Sequence, residues 1–376
     1  MTVFGTRPEA VKMAPIVLGL RETTDLEPVV VVTAQHREML DQVLDLFGIE
    51  PDYDLDIIKA RQSLTDVTTR ALRALDPIVR EERPDMVVVQ GDTTTTFVGA
   101  LAAFYHQVPV AHVEAGLRTG DVYSPYPEEM NRRLTTQLAG LHLAPTPRSR
   151  ANLLADGVRP ETILVTGNTV IDALLSTVER LVDYGDPALD GLDDDPRRVV
   201  LVTAHRRESW GDGMTAIGQA LGDIATADPD LLIVFPIHRN PVVRDAILPA
   251  VEGLENVRVV EPLAYGGFAR LMERASLLVT DSGGVQEEGP SLGKPVLVMR
   301  DTTERPEAVE AGTVRLVGTS RSRIAKSALE LLHDPDAYAA MANAVNPYGD
   351  GQATRRTIAG VRHFFGQGDR PDEFAG

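Results

Sequence analysis

An α/β fold with two Rossmann-like, doubly wound domains is predicted by three features of the chain. Short apolar runs recur, helix-length segments separate them, and a polar stretch interrupts the pattern in mid-chain. The runs fall at 29–33, 86–90, 108–113, 141–144, 199–203, 231–235, 277–280 and 295–299. They are rich in Val, Ile and Leu, and several show no polar alternation. That is the pattern of strands buried on both faces of a parallel sheet. Met1 to Phe4 reads as the tail end of a first buried strand, and helical spacing follows at 10–20 and 38–46. The stretch 184–198 carries Gly, Pro and three consecutive aspartates. A junction near 165–198 divides the chain into domains 1–168 and 169–350, with a closing segment at 351–376 whose end is polar and frayed.

Length and composition agree with this reading and exclude several function classes. A chain of 376 residues exceeds one ordinary core, so two domains are expected. Cysteine is absent, which removes disulfides, a thiolate nucleophile and Cys-based zinc sites. A net charge of −18 and a pI near 4.9 argue against a broad nucleic-acid surface. An anionic ligand then requires cations and helix N-termini gathered locally. No stretch approaches the ~20 apolar residues of a membrane span. The N-terminal residues do not form a secretory signal, so a cytoplasmic location is expected. The eight histidines are dispersed with no HxxxH pair, so no metal is expected. Neither GxGxxG nor a Walker A loop occurs, and neither a Ser-His-Asp order nor a GxSxG elbow appears, which leaves no basis for NAD, ATP or a serine nucleophile.

In parallel α/β sheets ligands bind beyond the carboxyl ends of the strands. After the first strand, Gly5 permits a tight turn, Thr6 is placed to cap a helix, and Pro8 suits its first turn. Free N–H groups there, with Arg7 and Lys12, suit an anion, although a capped helix with surface cations explains the segment equally well. Gln35 and His36 end the next strand, where capping and solvation also account for them. Asp92 stands where an N-cap is expected, ahead of four threonines that are mediocre helix formers. Glu114 follows another apolar strand, and Glu128 lies beyond it. Each carboxylate alone reads as a cap or a surface charge. Three at the strand ends of one domain repel each other unless protonated or paired, an arrangement that raises a pKa and suits proton transfer.

The second half has His205 and Arg206 after one strand and His238 after the next. Its strongest local signal is Asp281 to Glu288. A strand ends, Gly283 and Gly284 allow close backbone approach, and Ser282 with the opening helix suits a diphosphate. Glu288 is placed to accept two ribose hydroxyls. Arg305, beyond the next strand, returns a cation to the same edge. The constellation predicts nucleotide-diphosphate binding.

These residues lie in long motifs: GTRPEAVKMAP (5–15), TAQHREMLDQVL (33–44), GDTTTT (91–96), HVEAGLRTGD (112–121) and PYPEEMNR (125–132). The series continues with GNTVIDALL (167–175), HRRES (205–209), DSGGVQEEGPSLGKPVLVMRDTTERPEAV (281–309), AGTVRLVG (311–318) and NPYGDGQA (346–353). In order and over nearly the whole chain, they resemble the non-hydrolysing UDP-N-acetylglucosamine 2-epimerases. The resemblance implies a glycosyltransferase-B arrangement with an interdomain cleft, a last helix crossing back to the first domain, and a homodimer.

It also implies reversible conversion of UDP-GlcNAc to UDP-ManNAc without cofactor or metal, serving envelope polysaccharide synthesis. UDP is eliminated to leave 2-acetamidoglucal and is then re-added. By resemblance Asp92, Glu114 and Glu128 form the acid/base group, with Asp92 as C2 base, and His205 stabilises the diphosphate. Arg7, Lys12, Ser282, Gly283, Gly284 and Arg305 match its phosphate contacts, Glu288 its ribose ligand and Phe268 its uracil contact. Gln35, Glu38, Arg61, Glu128, Arg206 and His238 match a second, activating UDP-GlcNAc site, where some relatives have Gln at position 38. The alternatives are a hydrolysing epimerase releasing ManNAc, an epimerase of a modified UDP-sugar, a glycosyltransferase of the same fold, and a non-catalytic UDP-sugar sensor.

Overall fold

The computed structural model describes the whole chain except Gln35, His36, Ala60, Arg61 and Leu181. The described chain separates into two compact units, one of Met1–Ala173 with Tyr348–Gly376, the other of Leu174–Pro347.

The N-terminal unit alternates strand and helix: β1 (Thr2–Phe4), α1 (Arg7–Arg21), β2 (Val30–Val32), α2 (Arg37–Phe47), β3 (Tyr53–Asp54) and α3 (Leu64–Glu82). It continues with β4 (Val87–Gln90), α4 (Thr94–Tyr105), β5 (Val110–Val113), α5 (Glu128–Leu138), β6 (Leu141–Ala144), α6 (Pro147–Ala155) and β7 (Ile163–Val165). Helix α7 (Thr169–Val178) leads out of it. Its sheet runs β3-β2-β1-β4-β5-β6-β7, and every pair is parallel. The reason is visible in the strands. Val3, Val31, Val87, Val89 and Val110 are fully buried, with Ala71, Leu75 and Val98 of the flanking helices packed on them.

The second unit contains β8 (Arg198–Thr203), α8 (Asp212–Ala227), β9 (Leu231–Pro236), α9 (Pro241–Val251), β10 (Val257–Val260), α10 (Tyr265–Arg274) and β11 (Leu277–Thr280). It closes with α11 (Gly283–Glu288), β12 (Val296–Val298), α12 (Pro306–Glu310), β13 (Val314–Leu316), α13 (Arg321–His333) and α14 (Pro335–Ala342). Its sheet is β10-β9-β8-β11-β12-β13, again all parallel. The last helix, α15 (Ala353–Phe364), belongs to the N-terminal unit. Asp172 accepts its Ala353 and Thr354 N–H groups at 3.2 and 2.8 Å, and Gly19 and Gly360 let it lie close to α1 and β7.

Both sheets reverse their winding once. In the first, the chain steps outward from β1 to β2 and β3, then returns with β4 beside β1. In the second it steps from β8 to β9 and β10, then returns with β11 beside β8. Such reversal points leave a crevice beyond the strand ends, which is where these folds take ligands.

Candidate active site

In the N-terminal unit the site begins at the tight turn after β1. A Cβ on Gly5 would lie 1.8 Å from the Thr33 hydroxyl oxygen, so only glycine fits. Thr6 caps α1 as its sequence position predicts, and Glu9 closes the capping box. Arg7 opens the helix, and Lys12, one turn further, reaches Glu114 at 2.5 Å. Glu114 follows β5 in the left-handed region, at φ +63°, an unfavourable conformation for a side chain with a Cβ. Besides Lys12, its carboxylate accepts the Gln90 side-chain amide from the end of β4.

Asp92 corrects one expectation. The helix cap at this turn is Thr93, whose hydroxyl accepts the Thr96 N–H at 3.1 Å. The Asp92 carboxylate is thereby left for Arg132, which donates through Nε at 2.9 Å and Nη2 at 2.7 Å to the same oxygen. Arg132 is itself held by Glu129 at 2.8 Å, while Asn131 donates to the Asp92 backbone carbonyl. Burial opposes charge on Glu129, but the Thr119 N–H, Arg133 and Arg132 outweigh it and hold its carboxyl below the usual range. Glu128, half-buried, opens the same helix α5. The repulsion expected between strand-end acids is therefore relieved by pairing, with Lys12 for Glu114 and Arg132 for Asp92. Burial pushes the Glu9 carboxyl upward, despite hydrogen bonds from Thr93, Thr6 and Gly5.

Beneath these groups lies His112 on β5, fully buried. Its Nε2 meets the Gly91 carbonyl at 2.7 Å, and burial drives its pKa down to about 3. The neutral ring therefore donates to Gly91, the positive-φ residue just before Asp92.

In the second unit the reversal point joins β8 to β11. Asp281 is fully buried, and one of its oxygens accepts the backbone N–H groups of His205 and Arg206 at 2.7 and 2.8 Å. Its other oxygen lies 2.9 Å from His205 Nδ1. Burial works against the Asp281 charge, yet His205 and the two N–H groups hold its pKa below the ordinary value. Ser282 and Gly283 then open α11, a six-residue helix. A Cβ on Gly283 would stand 2.6 Å from the Arg305 guanidinium, so glycine is what lets that cation lie over the turn. Arg305 is also held by Glu287 at 2.5 Å. Glu288, at the end of α11, accepts the Tyr265 hydroxyl at 3.0 Å, and burial beside this acid pushes the phenol pKa well up. Phe268 lies on the same helix as Tyr265, half-buried.

Arg206, His238, Trp210 and Asn240 line a pocket with His205. The His205 and His238 rings stack at 6.1 Å, and Arg206 Nε is buried with no hydrogen-bond partner among the described residues. Glu38 is exposed on the first turn of α2, whereas Gln35 and Arg61 lie outside the described residues. Among the described residues no group of three or more His, Asp and Glu side chains is arranged to hold a metal ion.

Five members of these clusters receive no role from the motifs, although Glu9, Arg132 and Asp281 lie within them: Glu9, Gln90, Arg132, Tyr265 and Asp281. Arg132 carried a usable signal, since it stands four residues after Glu128 on one helical face. The others act through three-dimensional contacts between segments far apart in sequence.

Two parallel α/β sheets, each with a polar cluster at its reversal point, define a protein of the nucleotide-binding α/β class. The model of the UDP-N-acetylglucosamine 2-epimerase family matches residues 19–362. The UDP-N-acetylglucosamine 2-epimerase of Escherichia coli K12 is 54% identical over 96% of this chain and 98% of its own. That of Bacillus subtilis 168 is 52% identical over 100% of this chain and 98% of its own. Among solved structures, the Neisseria meningitidis UDP-GlcNAc 2-epimerase bound to UDP-GlcNAc superposes with a TM-score of 0.85 at 48% identity, covering 96% of this chain and 99% of that one. The chain belongs to the UDP-N-acetylglucosamine 2-epimerase family and is an isomerase.

Proposed function

We propose that the protein interconverts UDP-N-acetylglucosamine and UDP-N-acetylmannosamine by eliminating and re-adding UDP, without hydrolysis. The observation that carries this reading is the strand-end cluster of Asp92, Glu114, Lys12 and Arg132, acids and cations in contact within one unit. The hydrogen at C2 of the sugar is not α to a ketone, so a base alone removes it poorly. Loss becomes feasible when the C1–O bond to UDP breaks with it, because the electron pair from C–H forms the C1–C2 double bond while UDP leaves with the C1–O pair. In this reading Asp92 takes the C2 proton, and the Glu114 and Glu128 acids return a proton to the opposite face. UDP then re-adds at C1 of 2-acetamidoglucal. Arg7, Lys12, Arg305, His205 and the Ser282–Gly284 turn stabilise the departing diphosphate, the role preorganised donors play where charge develops. Glu288 holds the ribose and Phe268 the uracil.

The same reading gives Gln35, Glu38, Arg61, Glu128, Arg206 and His238 to a second UDP-GlcNAc that activates the enzyme. An activator works only by binding the active conformation more tightly than the inactive one. We place the enzyme in the cytoplasm as a homodimer supplying UDP-ManNAc to envelope polysaccharide synthesis. No helix among the described residues is long and apolar enough to cross a membrane.

Proton NMR of UDP-GlcNAc incubated with the protein in D2O tests the reaction. UDP-ManNAc carrying deuterium at C2 is the expected product. Free ManNAc with UDP would instead establish the hydrolysing reaction. Absence of C2 exchange would point to a modified sugar, a transferase or a sensor. For activation, UDP-ManNAc alone should turn over slowly until a trace of UDP-GlcNAc is added.

A further inference from the structure

A capping box engages one oxygen of its acid, and Glu9 uses both. Oε2 accepts the Gly5 and Thr6 N–H groups at 3.0 and 2.8 Å, which completes the cap of α1. Oε1 faces a different element. It meets the Thr93 hydroxyl at 2.6 Å and the Thr96 hydroxyl at 3.1 Å, at the start of α4. Glu9 is only 1% exposed, so the cap is made inside the protein rather than at its surface. A solvated glutamate would cap the helix equally well without the cost of burial. The second pair of contacts therefore requires its own account. One end of the link leads directly into Arg7 and Lys12. The other begins at the residue after Asp92.

We propose that Glu9 is a positioning residue for the epimerase reaction, its two oxygens tying the turn that carries the diphosphate cations to the turn that carries the C2 base. The proposal rests on the reading given above for Asp92, Arg7 and Lys12. Elimination acts on adjacent carbons, with the base at C2 and the cations at the group leaving C1. The two turns must keep one spacing, because a displacement of about 1 Å can cost on the order of 100-fold in rate.

Glu9→Gln and Glu9→Ala in the full chain separate this role from plain capping. The glutamine oxygen can still accept the Gly5 and Thr6 N–H groups, and its NH2 can donate to Thr93 and Thr96 hydroxyls that rotate to accept. Glu9→Ala loses both ends. The expected result is a kcat about 10- to 100-fold lower for Glu9→Ala, with most of the activity recovered in Glu9→Gln. Amide hydrogen exchange should quicken together in segments 5–7 and 91–96 of Glu9→Ala and stay near wild type at 91–96 in Glu9→Gln. Faster exchange confined to the α1 turn, with wild-type kcat and KM, would overturn the proposal and leave Glu9 a cap. If Glu9→Ala does not fold, Glu9→Asp keeps the charge but shortens the reach by one methylene. Wild-type kcat in that variant would equally overturn the link. Failure of the wild-type protein to exchange C2 hydrogen would remove the epimerase reading instead, and the paired exchange behaviour would still test the tie.

Discussion

In the N-terminal unit the acids at the reversal point keep some exposure, and each meets a cation from another segment. Asp92 is 27% exposed and faces Arg132, while Glu114 faces Lys12. In the second unit the acid at the matching place, Asp281, is fully buried under backbone N–H groups, and the group left exposed is His205, at 39%. The two sheets share one topology and use a strand-end aspartate in opposite ways. One keeps a part-exposed carboxylate against a single arginine, at the place of the proposed base. The other spends its carboxylate on holding a ring and a turn in place. Position in the fold alone therefore does not assign a role. Burial and the nature of the partner do.

The largest effect that tests this contrast is at Asp92. Asp92→Asn keeps size and loses the proposed base, so turnover should fall by about 100- to 10,000-fold while UDP binding stays within a few-fold of wild type. Steady-state turnover and calorimetry with UDP measure the two. Normal turnover in Asp92→Asn would break the comparison at its first member. Asp281→Asn should behave differently. It removes the charge facing His205 Nδ1 while its side-chain oxygen still accepts the two N–H groups. Loss of one hydrogen bond to a charged group is worth about 1.5 kcal/mol or more, so UDP affinity should weaken about tenfold or more. A loss of turnover as large as that of Asp92→Asn, with UDP affinity unchanged, would show that the two aspartates do not divide the work in this way.

The sequence pattern marks the interior of both sheets and misses their edges. The strands legible as apolar runs, from residues 29–33 to 295–299, are β2, β4, β5, β6, β8, β9, β11 and β12, and β1 is legible as a tail. The strands that escape are β3, β7, β10 and β13, which are the four edges. Tyr53–Asp54 is two residues long and partly exposed, and Arg258 and Arg315 interrupt β10 and β13. An edge strand needs only one neighbour and tolerates a polar face, which accounts for β3, β10 and β13, whereas β7 is an apolar, buried Ile163–Val165 that is only three residues long. The same logic governs the site. Residues in turn motifs, such as Asp92, Glu114 and Ser282, are visible because Gly, Thr and carboxylates cluster there. Tyr265 sits on a helix that reaches the site from elsewhere, and no local pattern announces it, while Arg132 is marked only by its spacing from Glu128. The cap at the α4 turn stands one residue beyond the expected Asp92, because Arg132 holds the Asp92 carboxylate and the Thr93 hydroxyl accepts the Thr96 N–H.

A last effect bears on stability rather than turnover, at the histidine beneath the Asp92 turn. His112 works from below as a neutral donor, its pKa lowered to about 3 by burial and, to a smaller extent, by its neighbours His142, Arg118 and Arg132, against the partial help of the Gly91 carbonyl. In the unfolded chain the same ring titrates near ~6.5. Between these values the unfolded state binds a proton that the native state refuses. Stability must therefore fall as pH drops from about 6.5 toward 3, by at most about 1.4 kcal/mol per pH unit. His112→Gln keeps an N–H donor and does not titrate. Its packing cost is the same at every pH, so the informative quantity is the difference in slope. Urea unfolding followed by circular dichroism at pH 7 and pH 5 should show the wild type losing about 2 kcal/mol more than His112→Gln. Equal slopes would mean that His112 is charged in the native state, facing Arg132 with the sign that weakens the hold on Asp92. The turn that presents the proposed base would then rest on a repulsive contact, and the contrast between a neutral ring under one turn and a ring held by a carboxylate at the other would disappear.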